Sequence, residues 1–300
     1  MPDSPAPFAS LPVLVALVSA FIYTVGALLV KRSSELGVGV WRTAFIANLL
    51  TGLFFLPLLL LGGTLHPELW WQPVLVCLCY LVGQWLNYIT LDQGDVSVAV
   101  PVLGLKILLV ALFVTLLGGE TLRWQLWAAS LLAVAGIGFL NRRAGHPAHH
   151  RIGRTIFTAG LTAVAFALFD VLVQRWSPIW GAGVFLPLTL GLGAVLSCGF
   201  IPLFRAPLSA IPRTTWPWLL GGTAAIALQS LLFTFSIAQW GHAVSVNVSY
   251  SSRGLWSVLL VSWCGHWFKS REQELGRHVL AWRLAGAVLM MSAIVLVVLV

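Results

Sequence analysis

Residues 96–116 read VSVAVPVLGLKILLVALFVTL, an unbroken apolar run that carries one charge, Lys106. A helix needs about 20 such residues to cross the hydrocarbon of a bilayer, since every backbone polar group must be satisfied within the segment once water is excluded. Working outward from this run, similar stretches recur near 9–30, 43–61, 70–91, 124–140, 155–174, 182–204, 216–238, 244–264 and 279–299. Short breaks separate them, such as Lys31-Arg32-Ser33-Ser34-Glu35, Gly62-Gly63-Thr64 and Asp92-Gln93-Gly94-Asp95. Composition agrees: 59% of the 300 residues are hydrophobic and 9% are charged, against about 25% charged in a soluble domain. The pattern predicts an all-α, multi-pass integral membrane protein with ten transmembrane helices and the lipid bilayer as its principal partner.

The net charge of +8 does not point to nucleic acid. The basic residues sit in short loops between apolar runs, and no recognition module is visible. Cys77, Cys79, Cys198 and Cys264 lie in or beside apolar runs without metal-ligand spacing, so they read as small buried residues and not as a disulfide framework. No cofactor or metal site is expected. Met1 to Ser10 contains no Lys or Arg, so the first run is expected to stay in the mature chain and not act as a cleaved signal. Asn141 to Arg154 holds Arg142, Arg143, Arg151, Arg154, His146, His149 and His150. It reads as a solvated connector rather than a metal site.

That connector divides the chain into residues 1–140, 141–154 and 155–300, and the outer parts look alike. Ser97-Val98-Ala99-Val100 in the fourth run recurs as Ser245-Val246-Asn247-Val248 in the ninth. Gln84 in the third run and Gln229 in the eighth precede these motifs by similar distances. Ala27–Lys31 closes the first run as Val171–Arg175 closes the sixth. The shared order predicts an internal duplication. Five spans per half make the copies inverted, the arrangement of secondary transporters whose site lies between repeats near the midplane.

Lys31 after the first run, Arg42 opening the second, and Thr90 to Leu140 carry a family resemblance. The last segment has a Ser-Val-rich helix with Pro101, then Gly119-Glu120-Thr121-Leu122, then a small-residue helix with Ala135-Gly136-Ile137-Gly138. It resembles the repeat of EamA-type members of the drug/metabolite transporter superfamily. The resemblance implies transport and no enzyme activity, and leaves the substrate open. Ile237 to Val298 departs from the pattern in its charged loop, Lys269-Ser270-Arg271-Glu272-Gln273-Glu274.

Loops after odd-numbered runs hold Lys31, Arg32, Arg42, the four connector arginines, Arg205, Arg213, Lys269, Arg271, Arg277 and Arg283. Loops after even-numbered runs hold only Arg123 and Arg175. The positive-inside rule then puts both termini on the non-cytoplasmic side of the cell (inner) membrane. The resembled superfamily implies the opposite orientation.

Three ionisable residues lie deep in apolar runs: Lys106, Asp170 and Arg253. Each costs roughly 2.5–3.5 kcal/mol at mid-bilayer on insertion scales. Lys106 and Arg253 fall at nearly matching places in the repeat, nine residues after Ser97 and eight after Ser245. Cations on the fourth and ninth helices resemble those with which the sugar-phosphate and nucleotide-sugar branches of the superfamily grip phosphate. Three readings stand together. The cations bind an anionic small-molecule substrate; or Asp170 neutralises one of them structurally; or Asp170 couples transport to protons, as in an exporter of amino acids or other neutral or cationic metabolites. Tyr80, Gln84, Asn87 and Tyr88 share one helix face and are expected to wall the cavity. Tyr250 joins them from the ninth run, where Ser249, Trp256 and Ser257 are expected on its face. Asn48 and Gln229 are embedded amides, read as interhelical hydrogen-bonding groups. A membrane enzyme would need an embedded acid–His or Ser–His constellation, which is absent from the sequence. Gly136-x-Gly138 and Gly191-x-Gly193 allow close packing and leave room for a homodimer.

Overall fold

The computed structural model describes residues 10–93, 96–119, 121–140, 152–264 and 277–299, and the side chains of all these except 10, 91–93, 96–97, 261–264 and 277–280. The His-rich part of the connector, Glu120, the 269–274 loop, His266 and the side chains of Ser97 and Cys264 lie outside the described residues. Twelve α-helices run in chain order among them: α1 Ser10–Glu35, α2 Val40–Phe55, α3 Trp71–Gln93, α4 Val96–Gly104, α5 Lys106–Gly118, α6 Trp124–Leu140, α7 Ile152–Trp180, α8 Ala182–Leu196, α9 Trp216–Trp240, α10 Ala243–Tyr250, α11 Arg253–Cys264 and α12 Arg277–Val298.

Eight segments among the described residues are long and apolar enough to cross a membrane, and Trp124–Leu140 is a shorter apolar helix. The ninth run departs from the expected ten continuous helices. It folds as two pieces, α10 and α11, each too short to span alone. The fourth run is also divided, at Leu105, into α4 and α5. Pro101 lies inside α4, where it lacks an N–H and crowds the preceding turn. Leu105 N–H then bonds Val102 at i−3. The ninth run has no proline. There Ser251 Oγ donates to Val248 O at 2.6 Å, and the amides of Ser251, Ser252 and Gly254 all reach carbonyls three residues back. Serine hydroxyls that bond the helix's own carbonyls bend and tighten it. Lys106 and Arg253 are thus the first residues of the second segment in two similarly broken helices.

The packing repeats in the manner of a duplication. α1 packs on α9 as α7 packs on α3, and α2 meets α9 as α8 meets α3. α4 and α5 lie against α7 as α10 and α11 lie against α1. The pairs α2–α8 and α6–α12 map onto themselves when the halves are exchanged. α2 and α8 both follow a positive-φ glycine, Gly39 and Gly181, and both end in 3₁₀ turns, Leu56–Leu61 and Ser197–Leu203.

The α6–α12 seam depends on backbone contact. A Cβ added at Gly286 would lie 2.8 Å from Gly136 O and 2.8 Å from Leu140 N. Because these neighbours are backbone atoms, they cannot step aside without separating the helices. Gly286→Ala should therefore destabilise the protein by about 1–3 kcal/mol, the usual cost of overpacking. A lowered thermal midpoint of the detergent-purified protein would register it, and an unchanged midpoint would show that the seam is pliable.

Two cations counted with the loops lie inside helices, Arg42 in α2 and Arg175 in α7, and have structural duties. Arg42 is buried and donates to Gly37 O at 2.7 Å and Pro207 O at 3.4 Å. Arg175 donates to Leu117 O near the C-terminal end of α5.

Candidate functional site

The break between α4 and α5 turns Lys106 toward α7. Its Nζ stands 2.8 Å from Asp170 Oδ2, with Asp170 1% and Lys106 20% exposed at the side chain. Asn247 of α10 donates from Nδ2 to the same oxygen at 2.7 Å, and also to Ala243 O at 2.9 Å. Both donors thus converge on Oδ2, while Oδ1 is buried without a hydrogen-bond partner among the described residues. The rings of Phe166 and Phe233 lie 5.8 and 5.1 Å from the ammonium. Aromatic faces favour a desolvated cation, and the carboxylate supplies the opposite charge.

Arg253 is held differently. Its guanidinium carbon lies 5.1 Å from the Tyr23 ring and 5.0 Å from the Tyr250 ring. No carboxylate among the described residues forms an ion pair with it. Tyr250 donates from its hydroxyl to Gln229 Oε1 at 2.9 Å, and Ser19 donates to Gln229 O at 2.9 Å, which ties α10, α9 and α1 together. Thr24 Oγ1 reaches Arg253 O at 3.3 Å. Phe233 links the two cations: it touches the ammonium of Lys106 on one side and stacks on Tyr250, 4.6 Å between centroids, on the other.

The structure brings Lys106, Asp170, Arg253 and Tyr250 into one neighbourhood. The helix-3 stripe lies at its edge. Tyr80 donates to Asn48 Oδ1 at 3.3 Å and packs 5.4 Å from Phe169, the neighbour of Asp170. Gln84 Oε1 and Asn48 Nδ2 are buried without partners among the described residues. Asn87 is half-buried on α3. Tyr88 stacks edgewise on Trp41 at 5.9 Å. The face expected to join Ser249 through Ser257 is interrupted by the break at Ser251–Ser252: Ser249 is buried and Ser257 exposed.

Sequence reasoning did not single out Tyr23, Phe166 and Phe233, because aromatic residues are ordinary in apolar helices. Asn247 carried a visible signal. It is an amide where the matching motif has Ala99, so it breaks the repeat at the point where α10 meets Asp170 of α7.

Residues 10–142 match the EamA-like transporter family. The match spans the first of the two halves, where Pro101, Gly119-Glu120-Thr121-Leu122 and Ala135-Gly136-Ile137-Gly138 lie. The chain is also similar along its whole length to a protein of known crystal structure. The TM-score is 0.73 at 17% identity, with 96% of this chain and 97% of that one covered. Likeness at that identity is likeness of fold. No curated protein matches the sequence. The family match and the eight long apolar helices support a multi-pass membrane protein of the drug/metabolite transporter type, with Lys106 and Asp170 paired between α5 and α7 and Arg253 held between Tyr23 and Tyr250.

Proposed function

We propose that this EamA-type transporter is a secondary carrier of a small polar anion and works by alternating access. Its halves, 1–140 and 155–300, would move against each other about the 141–154 connector. The observation that supports the anion is the uncompensated charge of Arg253. Lys106, Arg253 and Asp170 together leave one positive charge in an apolar interior. An unpaired charge there is costly, and a bound anion relieves that cost. The tyrosines flank the guanidinium, and the donors on its rim remain suited to a planar or tetrahedral anion. The polar groups of Tyr80, Gln84, Asn87 and Tyr88 would hold the uncharged part of the substrate. In this reading the protein is not an enzyme, sits in the cell (inner) membrane with both termini outside the cytoplasm, and needs no cofactor or nucleic acid.

A second reading rests on Asp170 Oδ1. An unpartnered buried carboxylate oxygen in the same neighbourhood as a guanidinium with no carboxylate partner among the described residues suits a zwitterion, its ammonium on Asp170 and its carboxylate on Arg253. That would make the protein an amino-acid exporter, with Asp170 available for proton coupling.

Proteoliposomes separate the two. Counterflow with a panel of monocarboxylates, phosphate monoesters and zwitterionic amino acids should give exchange only with the first two classes. Exchange confined to amino acids would replace the anion reading with the second one. No exchange with any class would remove both.

A further inference from the structure

The loop between α2 and α3 is fastened to the elbow between α7 and α8, so a segment of the first half grips the second half at one face of the protein. Thr64 N–H donates to Trp180 O at 2.9 Å. The approach is close enough to require glycine on both sides. A Cβ on Gly63 would lie 2.4 Å from Trp180 O, and one on Gly183 would lie 2.4 Å from Gly62 O. Over this contact sits a chain of side chains. Thr64 Oγ1 is 3.2 Å from Ile179 O and 2.9 Å from His66 Nε2, while His66 Nδ1 is 3.0 Å from Glu68 Oε1.

The hydrogens in this chain can be counted. A hydroxyl has one proton, and a backbone carbonyl can only accept. If Thr64 gives its proton to Ile179 O, then Oγ1 must accept from His66, so Nε2 carries hydrogen. The Glu68 carboxylate also accepts, so Nδ1 carries hydrogen too. All three bonds hold at once only for the imidazolium. In the neutral ring with hydrogen on Nδ1, Thr64 must turn its proton to Nε2 and release Ile179 O. In the other tautomer the bond to Glu68 is lost.

We infer that Thr64, His66 and Glu68 form a proton-operated latch that ties the α2–α3 loop to the α7–α8 elbow. The latch is fastened when His66 is charged. It loosens when His66 loses its proton, since each neutral tautomer gives up one bond. Glu68 is the titratable partner on the loop itself. The other neighbours are Trp180 from α7, Trp70 beside α3, and Phe185 of α8 behind Trp180, and none of these titrates near neutrality. With the His66 side chain 30% exposed and Glu68 65% exposed, the latch can exchange protons with the adjacent aqueous phase. A carrier whose halves must part at this face would open there more readily in neutral than in acidic medium. The inference does not depend on which substrate is carried.

Hydrogen exchange of residues 62–70 in nanodisc-embedded full-length protein tests it, with rates corrected for the intrinsic pH dependence of amide exchange. Protection should be about threefold or more higher at about pH 5.5 than at about pH 8. His66→Gln and Thr64→Val should flatten that dependence, and the second keeps the backbone bond to Trp180. No pH dependence in the parent protein, or an undiminished dependence in His66→Gln, would overturn the latch.

Discussion

Lys106→Ala should leave little folded protein in detergent extracts, and adding Asp170→Leu to it should restore most of the loss. Asp170 is almost wholly buried and meets two donors, Lys106 and Asn247, at a single oxygen. Removing the ammonium leaves an acid whose remaining donor among the described residues is the Asn247 amide. Breaking a buried pair from one side costs about 3–5 kcal/mol, whereas replacing both partners by apolar groups is often neutral or better. Asp170→Leu alone should be less severe, because the Lys106 side chain is 20% exposed and can draw on water. It nevertheless leaves two cations near each other with no acid between them. The coupling between the two sites, read from thermal midpoints of the singles and the double, should be strongly non-additive. Additive losses would mean that each residue packs on its own and that the pair does not organise α5 against α7.

Much of this was legible in the sequence because lipid makes exceptions conspicuous. In an apolar run a charge has few tolerable placements, so Lys106, Asp170 and Arg253 stood out and were expected together. The ten runs were visible for the same reason. Pro101 announced trouble in the fourth run, since a missing N–H can be read from residue type alone. The break at Ser251–Ser252 could not be read so easily, because serine is common in straight membrane helices and bends them only when its hydroxyl takes a backbone carbonyl. The choice of partner was also hidden. Both cations fitted Asp170 on the helical map, and only packing decides that Lys106 pairs with it while Arg253 lies between Tyr23 and Tyr250. The glycine contact between the α2–α3 loop and the α7–α8 elbow depends on two segments more than 100 residues apart approaching at backbone distance. Local sequence holds no record of that approach.

The contrasting surroundings of the two cations give the other large expected effect. Arg253→Ala should abolish counterflow of the anionic substrate while the protein remains monodisperse, unlike Lys106→Ala. Arg253 has no acid to strand among the described residues, so its removal unburdens the interior and leaves the Tyr250–Gln229–Ser19 connection to hold α10, α9 and α1. What disappears is the charge that the anion would meet. Truncating one member of a desolvated charge pair costs about 2–5 kcal/mol, at least about thirtyfold in affinity. Arg253→Lys should recover little of this, because a point charge on a flexible stem neither fills the slot between two tyrosine rings nor presents paired donors. Gln229→Ala, which frees the Tyr250 hydroxyl, should weaken binding with a smaller effect and without changing which substrates exchange. If Arg253→Ala instead aggregates as Lys106→Ala is expected to, the guanidinium is a packing element. If it transports normally, the anion lies elsewhere, and the zwitterion reading fails with it because both place a carboxylate or phosphate on Arg253.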